Sequence, residues 1–485
     1  MKVKIITASI LLFAVLVLFR PVVDNDFGWH YRYGEYIFNN HKILRENTFS
    51  YITPAYQWAN SYWLSDALIY VLYKYTGQVA FSLILSLLFA LFSIRLFMNV
   101  TDRISAGFVG VFLGAVILYP YLGWYNITAR PLFYSSIFML LLVYILQFEE
   151  KYIKYLPLMF LIWVNMHADF TLGLFVFGVY TIFRILEMYR VKKVNFILIT
   201  SALLSVLITL VNPYGILLWE TLLKETNPYQ FDLISEWLPL STKGSQVVYI
   251  SNTLIAGFIM ASAAAYALTK DKKSLWLIPV TAFFFLFSFR SLYFTRTLLL
   301  VGILSLVYVW GFIFVSLKDV VGIRNRKPLK ILTAYLLVVL FLVSLRSFTS
   351  NMELSTGMRV WEKKDYPVAA VTYIKTNVLE GQMFNNYNWG GYLIWQLPEY
   401  KTFIDGRMTS WRDNSGYSVL EDYINMTYYP DKYVDKIDGY VAAHNIGWAL
   451  DKKGSKFTNF LIKEKGWVQV YEDESAVLLI KPPNP

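Results

Sequence analysis

The chain has 485 residues, a formal net charge of +11 and no cysteine. It is 56% hydrophobic and only 16% charged, with a mean hydropathy of +0.45, whereas a soluble domain is nearer half apolar and a quarter charged. The lack of cysteine excludes disulfides, thiolate metal sites and cysteine nucleophiles. Nucleic-acid binding is not expected, because many basic residues lie in short loops between apolar segments.

The apolar residues are unevenly distributed. They form long segments up to about residue 349, and charged residues return at ordinary density over 350–485. We expect a polytopic α-helical membrane domain over 1–349 with a long first loop at 24–77, followed by a soluble α/β domain over 350–485. A membrane span needs roughly 20 mostly apolar residues. About eleven transmembrane helices are predicted by this criterion: 5–23, 78–98, 106–122, 131–148, 155–168, 170–186, 195–213, 250–269, 275–290, 293–317 and 330–347. The stretch 155–186 can also form one span.

The basic residues predict the orientation of these spans. With the N-terminus in the cytoplasm, every short cytoplasmic loop is basic, as the positive-inside rule expects. The basic residues of these loops are Lys2, Lys4, Arg103, Lys151, Lys154, Arg190, Lys192, Lys193, Lys270, Lys272, Lys273, Lys318, Arg324, Arg326, Lys327 and Lys330. We expect a multi-pass protein of the plasma membrane whose C-terminal domain lies outside the cytoplasm.

Polar and aromatic motifs gather on the predicted outer face, which indicates a single site there. The first loop begins Asp24-Asn25-Asp26-Phe27-Gly28-Trp29-His30-Tyr31-Arg32, and we name residues 24–32 the acid loop. Carboxylates at a lipid boundary are costly and tend to be functional. Asp26, with Asp24 in a secondary role, can act as a general base, or Asp26 can bind a divalent cation. The alternative is a simple helix cap.

Later outer loops add further candidates for binding a substrate: Arg130, His167, Asp169, Glu236, Arg290 and Arg296. Each arginine can pair with a lipid phosphate, or can anchor its span at the membrane interface. The histidine and the neighbouring aspartate can bind a substrate, and the aspartate can bind a metal. Alternatively, these two side chains form a structural hydrogen-bonded pair.

The C-terminal domain is predicted to be a small α/β structure. Helices are expected at 368–376 and 419–429, and strands at 381–384, 401–404, 447–451 and 476–480. Residues 385–392, named here the glycine turn, contain Trp389, and the segment Asp405-Gly406-Arg407 follows. We expect the glycine turn to face the first loop across a cleft and to contact the acceptor. The alternative is a turn in which Trp389 packs as core.

These motifs resemble a known family. The acid loop looks like the first external loop of GT-C membrane glycosyltransferases, which use polyprenyl-phosphate-linked sugars. Asp26 followed by Tyr31-Arg32 is similar to the corresponding loop of oligosaccharyltransferase catalytic subunits. The glycine turn lies where those enzymes carry a Trp-Trp-Asp-x-Gly motif that recognises the acceptor sequon. This sequence lacks the Trp-Trp-Asp triplet, which indicates a different acceptor.

The resemblance implies an inverting glycosyltransferase that transfers a hexosyl, pentosyl or oligosaccharyl group. The donor would be a polyprenyl-phosphate-linked sugar in the lipid bilayer, and the acceptor a glycan, lipid or protein outside the cytoplasm. Trp29, His30, Arg32, Asp405 and Arg407 are then expected to contact substrates. A divalent cation, Mg²⁺ or Mn²⁺, is the one cofactor left open. The alternatives are a transporter or flippase of lipid-linked or polar solutes, and a catalytically inactive membrane scaffold.

Overall fold

The computed structural model describes residues 2–104, 108–124, 129–224, 237–239, 246–270, 272–320, 327–409, 411–412 and 416–483. The described chain is mostly helical. Its helices are α1 (Lys2–Leu18), α2 (Phe27–Asn40), α3 (Trp63–Asp102), α4 (Phe108–Trp124), α5 (Leu132–Phe148), α6 (Leu156–Val164), α7 (Phe170–Val191), α8 (Phe196–Leu207), α9 (Ile216–Lys224), α10 (Gln246–Lys270), α11 (Leu277–Ser288), α12 (Leu292–Val320), α13 (Lys327–Leu354), α14 (Arg359–Lys363), α15 (Val368–Thr376), α16 (Gly390–Gln396), α17 (Val419–Tyr428), α18 (Val434–Ala443) and α19 (Lys456–Lys465). Its strands are β1 (Gln382–Asn385), β2 (Ile446–Lys452), β3 (Val468–Glu472) and β4 (Ala476–Ile480).

The apolar segments form helices. Each of the eleven predicted spans overlaps one of α1, α3–α8 and α10–α13. Within the described ranges, four helices are long and apolar enough to cross a membrane: α3, α7, Asn252–Lys270 of α10 and Leu292–Ser316 of α12. Shorter apolar stretches of 10–17 residues lie in α1, α4, α5 and α11, and at Phe196–Leu210, which starts with α8. The number of spans therefore stays a prediction.

By its internal contacts the chain divides into two compact units. The first comprises Met1–Pro21, Gln78–Asn212 and Phe231–Glu353. In this unit α12 packs against α4, α10 and α11. Two buried hydroxyl groups bond within their own helices: Ser136 donates to the carbonyl of Leu132 over 3.0 Å, and Thr281 donates to that of Leu277 over 2.6 Å. Such bonds allow polar side chains in an apolar interior.

The second unit joins the first loop to the C-terminal segment. It comprises Val22–Gly77, Pro213–Gln230 and Leu354–Pro485. Its hydrophobic core combines Trp29, Tyr33 and Trp58 of the first loop with Phe403 and Trp411 of the C-terminal segment. Large aromatic side chains bury much apolar area and dominate the energetics of such cores. The first loop is therefore folded onto the C-terminal segment of the same unit.

A four-stranded sheet lies in the C-terminal segment, in the order β1-β2-β4-β3. β1 and β2 are parallel, whereas β4 is antiparallel to both β2 and β3. The predicted helices α15 and α17 and strands β1, β2 and β4 all occur within one residue of the expected ends. β3 was not predicted, because this edge strand is half-exposed and lacks a clear apolar face.

The predicted strand at 401–404 is wrong. Thr402 forms only an isolated bridge with Ser50. Its backbone N–H donates to Phe49 over 3.0 Å, and its carbonyl accepts from Tyr51 over 3.3 Å. The backbone N–H of Phe403 donates to the Asn385 side chain over 2.7 Å. The backbone groups of this apolar segment are thus satisfied by the first loop and an amide side chain rather than by the sheet.

Candidate active site

The acid loop lies at the start of α2. Asp26 occupies the N-cap position of this helix, but in this fully described first turn its side chain makes no capping hydrogen bond. Its Oδ1 instead accepts a hydrogen bond of 3.0 Å from Nε1 of Trp29. The backbone N–H of Asp26 donates to Oδ1 of Asp24 over 2.9 Å. Asp24 is buried and Asp26 half-buried. A helix cap therefore does not explain Asp26, whose carboxylate is oriented by an indole.

A buried polar network supports this indole. Nδ1 of His30 lies 2.6 Å from Oδ1 of Asp66, and Asn60 donates a hydrogen bond of 2.7 Å to Oδ2 of Asp66. Asp66 is fully buried and His30 is 4% exposed. The rings of His30 and Trp29 are 3.6 Å apart, centroid to centroid. Because buried and satisfied networks are rigid, this one holds the side chain that orients Asp26.

The glycine turn contacts the acid loop directly. Nδ2 of Asn25 donates to Oδ1 of Asn388 over 3.2 Å. A Cβ atom at Gly28 would lie 1.8 Å from the carbonyl oxygen of Gly391, and one at Gly391 would lie 2.0 Å from the carbonyl oxygen of Asn25. Only glycine permits such an approach of two backbones. The turn faces the first loop as predicted, but in contact rather than across a cleft.

Trp389 and Arg32 both have protein partners. Trp389 is 2% exposed, and its Nε1 donates to the carbonyl of Asp365 over 3.0 Å. It is therefore part of the core, as the alternative interpretation held. Arg32 pairs with Glu35 and donates a hydrogen bond of 2.6 Å to the carbonyl of Trp395. The bond to Trp395 connects α2 with α16. Substrate contact by Trp389 or Arg32 stays a prediction.

Asp405 and Arg407 form a buried ion pair. Their side chains are 0% and 1% exposed. Nε and Nη2 of Arg407 donate to the two carboxylate oxygens over 2.7 Å each. The guanidinium also lies 5.0 Å from the ring centroid of Phe49 and donates to Oδ1 of Asn47 over 3.3 Å. The pair connects the first loop with the C-terminal segment, and its contact with substrate stays a prediction.

The first unit contains its own polar cluster, centred on Asp169 before α7. Nη2 of Arg296 donates to Oδ2 of Asp169 over 2.7 Å, and the Tyr293 hydroxyl donates to Oδ1. Nδ1 of His167 accepts a bond of 3.1 Å from the backbone N–H of Asp169. Trp237 stacks on Tyr293 with ring centroids 5.0 Å apart. The structure thus brings together three predicted residues, His167, Asp169 and Arg296, in one network.

The remaining predicted residues are more dispersed. Arg130 is half-buried and lies two residues before α5. Arg290 is exposed just after α11. Glu236 lies outside the described residues. Binding of a lipid phosphate by these two arginines stays a prediction.

No protein-family model and no curated protein matches the chain, but several solved structures do. The Archaeoglobus fulgidus oligosaccharyltransferase tethered with an acceptor peptide containing the NVT sequon matches with a TM-score of 0.61 at 10% identity, covering 99% of this chain and 74% of that chain. The same enzyme in complex with Zn and sulfate gives 0.54 at 12% identity, covering 99% and 73%. ArnT from Cupriavidus metallidurans bound to undecaprenyl phosphate gives 0.53 at 15% identity, covering 99% and 98%.

The matched proteins are GT-C glycosyltransferases, and the likeness extends over nearly the whole chain. The chain has the GT-C fold. This result confirms, at the level of the fold, the resemblance noted in the acid loop. Together with the four long apolar helices, the GT-C fold indicates a membrane protein.

A metal site was expected at Asp26 or, less strongly, at Asp169. Within the described part of the chain, no three His, Cys, Asp or Glu side chains lie together as metal ligands. Asp169 is paired with the guanidinium of Arg296, whose positive charge opposes a bound cation. Asp26 is therefore the better candidate of the two, and a divalent cation at either residue stays a prediction.

The sequence did not indicate the partners of His30 in this GT-C fold. Asp66 lies 36 positions after His30, too far for any local pattern to join them. Asn60 and Asp66 did carry a signal, because amide and acidic residues are favoured at the start of a helix such as α3. That signal indicated a helix terminus and not a partner for a histidine.

Proposed function

We propose that the chain is an inverting GT-C glycosyltransferase that moves a sugar from a polyprenyl-phosphate-linked donor to an acceptor outside the cytoplasm. The observation that carries the proposal is the Asp26 carboxylate, which accepts a bond from Trp29 and does not cap its helix. A half-buried carboxylate oriented by a side-chain donor suits proton transfer. The fold shared with ArnT bound to undecaprenyl phosphate supports this class of donor.

Asp26 is assigned the role of general base. It accepts the proton of the acceptor group as that nucleophile attacks the anomeric carbon of the donor sugar. The bond between the anomeric carbon and the phosphate oxygen breaks, and the polyprenyl phosphate leaves with the electron pair. A single displacement inverts the anomeric carbon and needs no covalent enzyme intermediate. Asp24 acts indirectly, because its carboxylate accepts from the backbone N–H of Asp26.

Phosphate recognition is assigned to arginines of the first unit. A guanidinium offers paired donors that match phosphate oxygens. Arg130 and Arg290 are the better candidates, because they are half-buried and exposed, respectively, whereas Arg296 is only 1% exposed. Arg296 is assigned a supporting role, holding Asp169 and, through it, Tyr293.

The acceptor is assigned to the second unit, which contains both the acid loop and the glycine turn. The peptide in the archaeal structure contains an NVT sequon, but the present chain lacks the Trp-Trp-Asp triplet. We therefore propose a different acceptor, drawn from glycans, lipids or proteins of the cell envelope. The proposed location is the plasma membrane, with the C-terminal segment outside the cytoplasm.

The first prediction concerns Asp26. Purified protein is incubated with radiolabelled polyprenyl-phosphate sugars and envelope acceptors, and label released from the lipid is measured. The wild type should release label from at least one donor. Asp26→Asn removes the base and should lower the rate roughly 10²–10⁴-fold. Asp431→Asn changes an exposed carboxylate of the same unit and should keep the wild-type rate.

The other outcomes of this experiment contradict the role of Asp26 or support one of the alternative functions. Full transfer by a folded Asp26→Asn protein contradicts the assignment of the base. Label that crosses a vesicle membrane but stays on its lipid supports the transporter or flippase. Label that neither moves nor leaves its lipid supports the inactive scaffold.

A further inference from the structure

Gly406 lies against the carboxylate of Asp26. A Cβ atom at position 406 would lie 1.9 Å from Oδ1 of Asp26 and 3.1 Å from its Cγ. Carbon and oxygen atoms that are not bonded do not approach so closely, so a side chain at 406 and the observed carboxylate position exclude each other. Glycine here leaves room for a functional group of the same unit.

The clash at Gly406 differs from those at the other close glycines. At Gly28 and Gly391 an added Cβ would meet backbone carbonyl oxygens, which cannot move without shifting a whole segment. At Gly406 an added Cβ would instead meet Oδ1 at the end of the Asp26 side chain, and this side chain can rotate. A methyl group at 406 therefore displaces the carboxylate and leaves the two backbones in place.

The turn that contains Gly406 cannot easily move away. Asp405 before it and Arg407 after it form the buried ion pair, and the backbone N–H of Arg407 also donates to Oδ1 of Asp405 over 3.1 Å. Breaking a buried ion pair on one side is strongly destabilising. A methyl group at 406 must then move the Asp26 carboxylate. The carboxylate would lose its hydrogen bond from Nε1 of Trp29.

We propose that Gly406 is a positioning residue for the Asp26 carboxylate. The backbone at Gly406 forms a wall on one side of the carboxylate, and the Trp29 indole holds it by a hydrogen bond. Together they set the direction in which Asp26 meets the proton of the acceptor. This inference rests on the proposed function, in which Asp26 is the base.

The second prediction tests this inference with Gly406→Ala. We expect the variant to fold, with a Tm close to that of the wild type, and to lose about 10²-fold in kcat, the effect of misplacing a reacting group by about 1 Å. KM for the lipid-linked donor should change less than about 2-fold, since uniform binding is untouched. Gly439→Ala is the control, because a Cβ at Gly439 meets no atom within 4 Å.

A double-mutant cycle separates positioning from a general structural effect. In the Asp26→Asn background, Gly406→Ala should cause no further loss, because no carboxylate remains to be misplaced. The same loss in both backgrounds overturns the inference, as does full activity of Gly406→Ala. A Gly406→Ala protein that fails to fold also overturns it, because the clash would then fall on the backbone. If Asp26→Asn itself keeps full activity, the proposed function fails instead.

Discussion

Asp451 is a buried carboxyl group that supports the glycine turn. Its Oδ1 accepts from Nδ2 of Asn386 over 2.6 Å, and its Oδ2 accepts from the Ser455 hydroxyl over 2.8 Å. The Asn386 side chain in turn accepts from the backbone N–H of Asn388, which contacts the acid loop. Burial raises the pKa of Asp451 above its ordinary value of 3.8, although these hydrogen bonds act in the opposite direction.

The third prediction follows from that pKa. A carboxyl group whose pKa is raised by folding stabilises the protein below its unfolded pKa, and this stabilisation is lost as pH rises through the folded pKa. Asp451→Asn cannot ionise, and its amide can still accept from Asn386 and donate to Ser455. Thermal unfolding between about pH 4 and about pH 7 should therefore depend less on pH in Asp451→Asn than in the wild type or in Asp431→Asn. Identical slopes in all three proteins would contradict the role of Asp451.

Among individual residues, the sequence identified Asp26 as a candidate but did not identify the residues that surround it. The position of Asp26 after an apolar segment and before Tyr31-Arg32 made it a candidate. Its contact with Gly406 and the support of Trp29 by Asp66 depend on residues far apart in the chain. Such proximity follows from tertiary packing, which local spacing does not encode.

The segment α3 consists of two helices joined by a kink at Gly77. It extends over 40 residues, but Gly77 within it has φ 72° and ψ 175°. This region of backbone conformation is essentially restricted to glycine. The chain also passes from the second unit to the first at this residue. Gly77 therefore separates a segment associated with the acid loop from a long apolar helix.

The fourth prediction concerns this break. Gly77→Ala forces a Cβ into a conformation that costs about 1–3 kcal/mol, so the protein in detergent should unfold at a lower temperature. Gly178→Ala is the matched control, because Gly178 lies inside α7 and a Cβ there meets no atom within 4 Å. The control should be neutral or slightly stabilising. Equal unfolding temperatures for the two variants would show that the break carries no strain.

Elements with strong periodicity were predicted well, and those shaped by tertiary contacts were not. The helix at Val368–Thr376 and the strand at Ala476–Ile480 occur where expected, because propensity and burial agree there. The segment 401–404 has the composition of a strand but pairs with Ser50 of the first loop in a single bridge. Its hydrogen-bond partners lie outside the sheet, which no local pattern reveals.

At the scale of the whole molecule, the prediction still to be tested is the orientation of the chain. The distribution of Lys and Arg predicts a cytoplasmic N-terminus and a C-terminal segment outside. The sequence also indicated the change in composition near residue 350, and the structure divides the chain close by, between Glu353 and Leu354. That the first loop packs with the C-terminal segment was not predicted beyond the glycine turn, because the shared aromatic core is not visible in either segment alone.

The fifth prediction tests this orientation with reporter fusions. A reporter active only in the cytoplasm should give a signal when fused after Lys193 and none when fused after Pro485. A reporter active only outside should give the reverse. Fusions after Lys273, in another predicted cytoplasmic loop, serve as the control for Lys193. Matching signals at Lys193 and Pro485 would mean that the number of spans between them is wrong by one.

The core shared by the first loop and the C-terminal segment also affects how the protein is made. Asn25 and Asn388, which are hydrogen-bonded, are 363 positions apart. The ribosome releases the first loop early, and its aromatic partners Phe403 and Trp411 emerge near the end of synthesis. Contacts so distant in sequence are entropically costly to close and slow to form. The first loop is therefore expected to keep Trp29 and Trp58 exposed until the end of the chain has been synthesised. An interrupted chain would then expose this aromatic surface to chaperones and proteases.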